Sequence, residues 1–207
     1  MAQLKNPVTS TDHVIGDDNA AVTIVEYGDY ECPLCAAAHP IVKQVLARHG
    51  RNLRFVFRHF PLVEMHPNAE PAAETAEFAG TQGLFWPMHD AIYANQPRLN
   101  IPLLIALAAA LKLSTVAFRD ALAEHRFAPK IRADFSGGVR SGVNGTPTFF
   151  INGMRFDHPL GAAGLPAAIN ATLQVSSDSA RAQSPTHITF LSDDASALQG
   201  RATRIVF

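Results

Sequence analysis

The chain has 207 residues, 47% of them apolar and 17% charged, with a net charge of −1. That composition describes a globular protein long enough to bury one sizeable core, organised as one domain with an elaboration rather than two equal halves. The near-zero charge supplies no basic surface for DNA, RNA or an anionic membrane, so neither nucleic acid nor membrane is expected as a partner.

Residues 1–18 lack the apolar segment of a secretory signal, so the expected compartment is the cytoplasm. A mature chain whose leader had been cleaved would read the same way and belong in a periplasm. Residues 21–27 read as a buried strand, with β-branched Val22, Ile24 and Val25 and a stop at Gly28-Asp29. A helix is expected after Cys32, because Leu34, Ala38, Ile41, Val42, Val45 and Leu46 recur at helical spacing before Gly50. Pro40 is expected to kink it. Residues 53–60 form the next strand, alternating Leu53, Phe55 and Phe57 with Arg54 and Arg58 up to Pro61.

From residue 67 to about 142 the pattern is helical, with pieces at 69–82, 85–95, 101–111, 114–124 and 128–141 and Ser114 as a candidate N-cap. The most apolar stretch, 101–113, is interrupted by Pro102 and Lys112 and is shorter than the roughly 20 residues a bilayer requires. Strands at 148–151 and 154–156 flank Asn152-Gly153, a two-residue hairpin signal, and a helix at 162–173 completes the compact part. Residues 174–185 read as a linker, and 186–191 and 203–207 as two short strands without a functional reading.

Strand, helix, strand, a block of helices, then a hairpin and a helix is an α/β order. A parallel strand–helix–strand unit is expected to share one mixed sheet with the antiparallel hairpin.

The only two cysteines lie together in Cys32-Pro33-Leu34-Cys35, at the junction of a strand and a helix. A thiol at the first turn of a helix meets unpaired N–H groups and the positive end of the dipole, which favour thiolate, the reactive form. The second cysteine, one turn on, can resolve a mixed disulfide formed by the first. Inert core thiols are the bland alternative. A zinc site would need two more ligands, for which His59 and His66 are the nearest candidates; no metal is expected.

Alternation puts Glu26 on the same strand face as Val22 and Ile24, where a buried acid would have a raised pKa and pass protons near neutrality. Arg58 is a possible charge partner, with an exposed arginine as the alternative. His39, four residues after Cys35, is a candidate for the rim of the site. Trp86, Phe78, Phe85, Phe118, Phe127 and Phe135 read as core of the helical block.

The segment Glu26-Tyr27-Gly28-Asp29-Tyr30-Glu31-Cys32-Pro33-Leu34-Cys35, together with residues 142–153 containing Gly145-Thr146-Pro147-Thr148, resembles the DsbA-like branch of the thioredoxin superfamily over residues 12–173. The resemblance implies a thioredoxin-like fold, discontinuous over 1–66 and 143–173, with a helical subdomain inserted at 67–142 and residues 174–207 outside it. It implies a protein disulfide oxidoreductase that needs no organic cofactor. Its substrates would be protein thiols or disulfides, and a separate redox partner protein would reset it. Cys32 then corresponds to the nucleophile, Cys35 to the resolving thiol, Pro147 to a cis-proline facing them, and Glu26 to a buried acid assisting proton movement. Thr146 would offer its backbone to an extended substrate, with its hydroxyl available to the Cys32 thiolate, beside Pro33 and Leu34. Pro33-Leu34 departs from the Pro-His pair of strongly oxidising members, so one source of thiolate stabilisation is missing. A glutathione-dependent isomerase or transferase on the same fold, and a non-catalytic peptide-binding module, are the rival expectations.

Overall fold

The computed structural model describes residues 2–182, with side chains as far as residue 176. Apolar, β-branched β2 (Val22–Gly28) is the central strand. It pairs in parallel with β3 (Leu53–His59) on one side and antiparallel with β4 (Thr148–Ile151) on the other. β1 (His13–Ile15) adds antiparallel to β3 and β5 (Met154–Phe156) to β4, so the sheet runs β1-β3-β2-β4-β5. Asn152 and Gly153, at φ 48° and 80°, both take the left-handed conformation that a two-residue hairpin turn between β4 and β5 requires.

Side chains alternate along a strand. Val22, Ile24 and Glu26 of β2 therefore share one face with Leu53, Phe55 and Phe57 of β3, while Val25 and Tyr27 share the other with Val56 and Arg58. The first face is covered by α1 (Pro33–His49), through Cys35, Ala38, Val42 and Val45, and by Leu165 and Ile169 of α7 (Leu165–Ala182). α1 continues through Pro40, which is exposed, and ends where the Gly50 N–H donates to the Leu46 carbonyl.

Between β3 and β4 the chain forms α2 (Ala69–Gly80), α3 (Phe85–Ala94), α4 (Ile101–Ala110), α5 (Thr115–Ala123) and α6 (Ala128–Arg140). Ser114 caps α5 by accepting the Ala117 N–H at 3.3 Å, and Asn100 caps α4 through the Leu103 N–H at 2.9 Å. Phe78, Phe85, Leu104, Phe118 and Ile131 from this block join the same core as the first face of the sheet. Phe135 does not: it stacks on Phe60 at 4.3 Å and covers the second face. There α6 comes close to the sheet at Gly138, where a Cβ would lie 2.7 Å from the Phe60 ring and 3.0 Å from Tyr27.

Two elements differ from the sequence reading. β1 is a three-residue edge strand, too short for an alternation pattern to be read. α7 runs to Ala182, nine residues beyond the expected end at Leu173, so residues 174–182 are helix rather than linker. Its polar residues are compatible with helix because the Thr172 and Ser176 hydroxyls donate back to the carbonyls of Ala168 and Thr172 at 2.9 and 3.0 Å. The rest of the expected linker and the two terminal strands lie outside the described residues.

Candidate active site

β2 ends at Gly28 and α1 begins at Pro33, so residues 29–32 form the turn that presents Cys32 as the N-cap of α1. Pro33 suits the first helical position, since its φ is preset and its absent N–H would have had no partner there. Cys32 keeps 5% of its surface accessible and Cys35 none. The Cys35 thiol, donating to Cys32, brings the Cys32 pKa down to about 5 against the opposing effect of burial. Thr146 and the N–H groups of Cys35 and Leu34 add to this. A free thiol titrates near 8.5. Cys35 moves the opposite way: burial, its bond to Cys32 and the charges of Glu26 and Cys32 push it well up. The Asp29 N–H, 3.5 Å from the Cys35 sulfur, opposes that shift.

The pairing of Tyr27 with Thr148 and Glu26 with Phe149 brings the chain before β4 to the end of β2 where the cysteines stand. The Thr146 carbonyl lies 3.3 Å from Cys32 Sγ, and the Thr146–Pro147 peptide is cis. This carbonyl accepts from the thiol, while the Thr146 side chain is the part of that residue that favours the thiolate; its hydroxyl is buried and has no other hydrogen-bond partner among the described residues. Leu34, Ile41, Thr146, Pro147, Phe149 and Leu160 line a groove of about 680 Å³ beside the sulfurs. Leu34 and Leu160 are 67% and 68% exposed, and Pro33, which is not part of the lining, is exposed too.

Glu26 is 3% exposed, and burial, with a further contribution from the Cys32 charge, raises its pKa to about 8. Arg58 is not its partner. One residue out of phase with Glu26's neighbour Phe57, it lies on the other face of the sheet and is itself buried, bonding Asp12 at 2.8 and 2.9 Å. His39 turns from the sulfurs toward α3, reaching Asp90 at 3.1 Å and stacking on Tyr93, and burial lowers its pKa. The two histidines considered as zinc ligands go to different carboxylates: His59 to Glu77 at 2.9 Å and His66 to Asp29 at 2.8 Å. The clusters of potential metal-ligating groups among the described residues, His13-His59-Glu77 and His39-His89-Asp90, contain neither cysteine.

The sequence reading missed how strongly the turn is tied to the helical block. Asp29, read only as a strand stop, has a fully buried carboxylate that accepts the N–H groups of Glu31 and Leu62, each at 2.8 Å, and the His66 bond. The Tyr30 hydroxyl pairs with His89 Nδ1 at 2.9 Å, and the Glu31 carbonyl accepts the Gln96 amide at 2.8 Å. The available signal was polar: Asp29 and Glu31 are two carboxylates within three residues of Cys32.

A family profile described as Thioredoxin matches residues 8–171. Among curated proteins, a Na(+)/H(+) antiporter NhaA 1 of Salinispora arenicola is 46% identical over 160 residues, covering 77% of this chain and 24% of that protein. A Mycobacterium protein of the same name is 37% identical over 162 residues, covering 77% of this chain and 26% of its own length. The chain thus spans about a quarter of the curated relatives it matches. Among solved structures, oxidised BdbD from Bacillus subtilis superposes with a TM-score of 0.73 at 22% identity, covering 84% of this chain and 98% of that one. The thiol-disulfide exchange protein alpha-DsbA2 from Wolbachia pipientis superposes with a TM-score of 0.65 at 20% identity, over 78% and 87% of the two chains. The chain belongs to the thioredoxin family and has the fold of its DsbA-type members.

Proposed function

We propose that this chain is a thiol-disulfide oxidoreductase that oxidises protein dithiols through a mixed disulfide at Cys32. The observation that carries the reading is the opposite displacement of two adjacent thiols, Cys32 down to about 5 and Cys35 well up. In the oxidised protein, a substrate thiolate attacks Cys32 Sγ, the Cys32–Cys35 bond breaks, and its electron pair leaves on Cys35, which takes a proton. Glu26, near enough for its charge to act on Cys35 and protonated over much of the neutral range, is the proposed source of that proton. A second substrate thiolate then attacks the substrate sulfur of the mixed disulfide and expels Cys32 as a thiolate. Its low pKa makes it a good leaving group. Two electrons have passed from the substrate to the pair, and a separate redox partner removes them.

Stabilising the reduced form in this way raises the reduction potential, which suits an oxidising compartment such as a periplasm better than the cytosol. The groove beside Pro147 supports an extended, apolar substrate segment, with Thr146 as its backbone partner once the thiol contact is released. In this reading residues 67–142 are an inserted subdomain that holds the cysteine turn, and residues 1–66 with 143–173 are the domain that carries the chemistry. The antiport named for the curated relatives is not part of the proposal, since no described helix is long and apolar enough to cross a membrane.

Cys35→Ser is expected to accumulate a mixed disulfide with a reduced protein substrate in the presence of oxidised glutathione, and Cys32→Ser to accumulate none. Equal trapping by both variants would remove Cys32 as the nucleophile. Glutathione-dependent turnover that survives loss of Cys32 would favour a transferase. Peptide binding without turnover would favour a passive module.

A further inference from the structure

One histidine beside the dithiol is bonded to Asp29 and feels the charges of Cys32 and Glu31 as well. Asp29 and Glu31 lie three residues and one residue before Cys32, and uncompensated carboxylate charge near a thiol opposes its ionisation. The chain between β3 and α2 closes over both of them. Asn68 donates its backbone N–H and its side-chain amide to the Glu31 carboxylate, at 2.6 and 2.8 Å. His66 Nδ1 lies 2.8 Å from Asp29 Oδ2, and the His66 backbone N–H is fixed on the Leu62 carbonyl at 2.9 Å. The same Asp29 touches both cysteines through its backbone: its carbonyl accepts the Cys32 N–H at 3.2 Å and its N–H points at the Cys35 sulfur at 3.5 Å. The His66 side chain is 17% exposed, enough to exchange protons with solvent.

We propose that His66 is a positioning residue for the Cys32 thiolate: its imidazolium, held by Asp29, supplies the positive charge that the Pro33-Leu34 motif lacks. The inference rests on the exchange reading of the dithiol given above. Burial pulls the His66 pKa down, but the Asp29 hydrogen bond and the charges of Asp29, Cys32 and Glu31 more than reverse this, and its pKa is raised. When His66 loses its proton, the Asp29 charge is left unbalanced beside the sulfur and the thiolate is disfavoured. The coupling is reciprocal, so the thiolate must also hold the proton on His66. Forming the disulfide removes the thiolate charge. Two electrons pass from the sulfur pair to a disulfide oxidant such as oxidised glutathione, which is reduced to two thiols; the Cys35 proton is released, and part of the His66 proton follows it to solvent.

The test is the pH profile of Cys32 alkylation and a redox titration against glutathione for the parent, His66→Gln and His66→Lys, with NMR titration of His66 in both redox states of the parent. His66→Gln is expected to raise the Cys32 alkylation midpoint by about one unit. It should also make the pair about tenfold harder to reduce by glutathione, equivalent to about 30 mV. The gap in reduction potential between parent and His66→Gln narrows as rising pH removes the parent's His66 proton, whereas His66→Lys, still charged, stays at the parent's potential. In the parent, His66 titrates higher in the reduced than in the oxidised protein. A folded His66→Gln with an unmoved midpoint, or a His66 that titrates identically in both redox states, overturns the proposal. The second measurement decides the matter even if the variants do not fold. A parent whose Cys32 has no low midpoint would instead refute the exchange reading itself.

Discussion

Glu26 and Arg58 are buried charged residues one position out of register on neighbouring strands, and the protein treats them in opposite ways. Arg58 has all its nitrogens engaged: Asp12 twice, the carbonyls of Asn6 and Pro7, and the Tyr27 hydroxyl, at 2.8 to 3.1 Å. It fastens the segment before β1 to the second face of the sheet. Glu26, on the first face, has no ion pair recorded among the described residues, and burial holds it protonated up to about pH 8. A charge that is fully paired contributes to stability. One left without compensation costs stability and keeps a mobile proton next to the sulfurs.

The largest expected effect breaks the paired side. Arg58→Met leaves the Asp12 carboxylate buried without its partner and is expected to cost about 3–5 kcal/mol in urea unfolding. Early loss of amide protection should be confined to residues before β1. Asp12 gives this pair a pH signature. Burial alone would raise its pKa, but Arg58 and the Thr9 N–H hold it below the usual carboxylate value. The pair's contribution is therefore complete above the unfolded pKa of about 4 and is lost as pH falls through the folded one.

Glu26→Gln should act with the opposite sign. A carboxyl whose folded pKa is raised costs nothing below its unfolded value of about 4.3, and costs progressively more as pH rises toward the folded value near 8. The variant should gain on the order of 3 kcal/mol at pH 7 and nothing at pH 4, as measured by urea unfolding at the two pH values. Loss of stability at pH 7 would mean that Glu26 has a compensating partner after all.

A smaller effect probes how closely the paired face is packed. Gly138→Ala inserts a methyl group against the Phe60 ring and Tyr27 and is expected to lower stability by about 1–3 kcal/mol. The smallest effect is kinetic and belongs to the unpaired face. Cys32 alkylation should rise with a midpoint near 5 and show a second, minor inflection near 8 as Glu26 ionises. Glu26→Gln should abolish only the second.

Much of this architecture follows from local signals. Val22, Ile24 and Val25 mark the central strand, Pro33 and Gly50 bracket α1, and Asn152-Gly153 marks the hairpin, because each depends on periodicity or on a backbone preference within a few residues. β1 was not legible: His13–Ile15 is strand only because β3 offers it an edge. α7 beyond Leu173 was misread because Ser and Ala suggest a linker until the helix that precedes them is anchored on the core through Leu165 and Ile169.

The candidate site divides in the same way. By itself the sequence determined the pair of cysteines, their one-turn separation, their position at the mouth of a helix, and the presence of an acid on the strand before them. All of these are properties of a short stretch of chain. Only the tertiary structure decided which charges meet. Asp12 and Arg58 are 46 residues apart, and Asp29 and His66 are 37 apart. Whether a carboxylate is paired or left alone depends on the partners that folding brings within about 3 Å and on the water it removes. Neither is a function of spacing along the chain, so the protonation states that govern the chemistry are set by the fold.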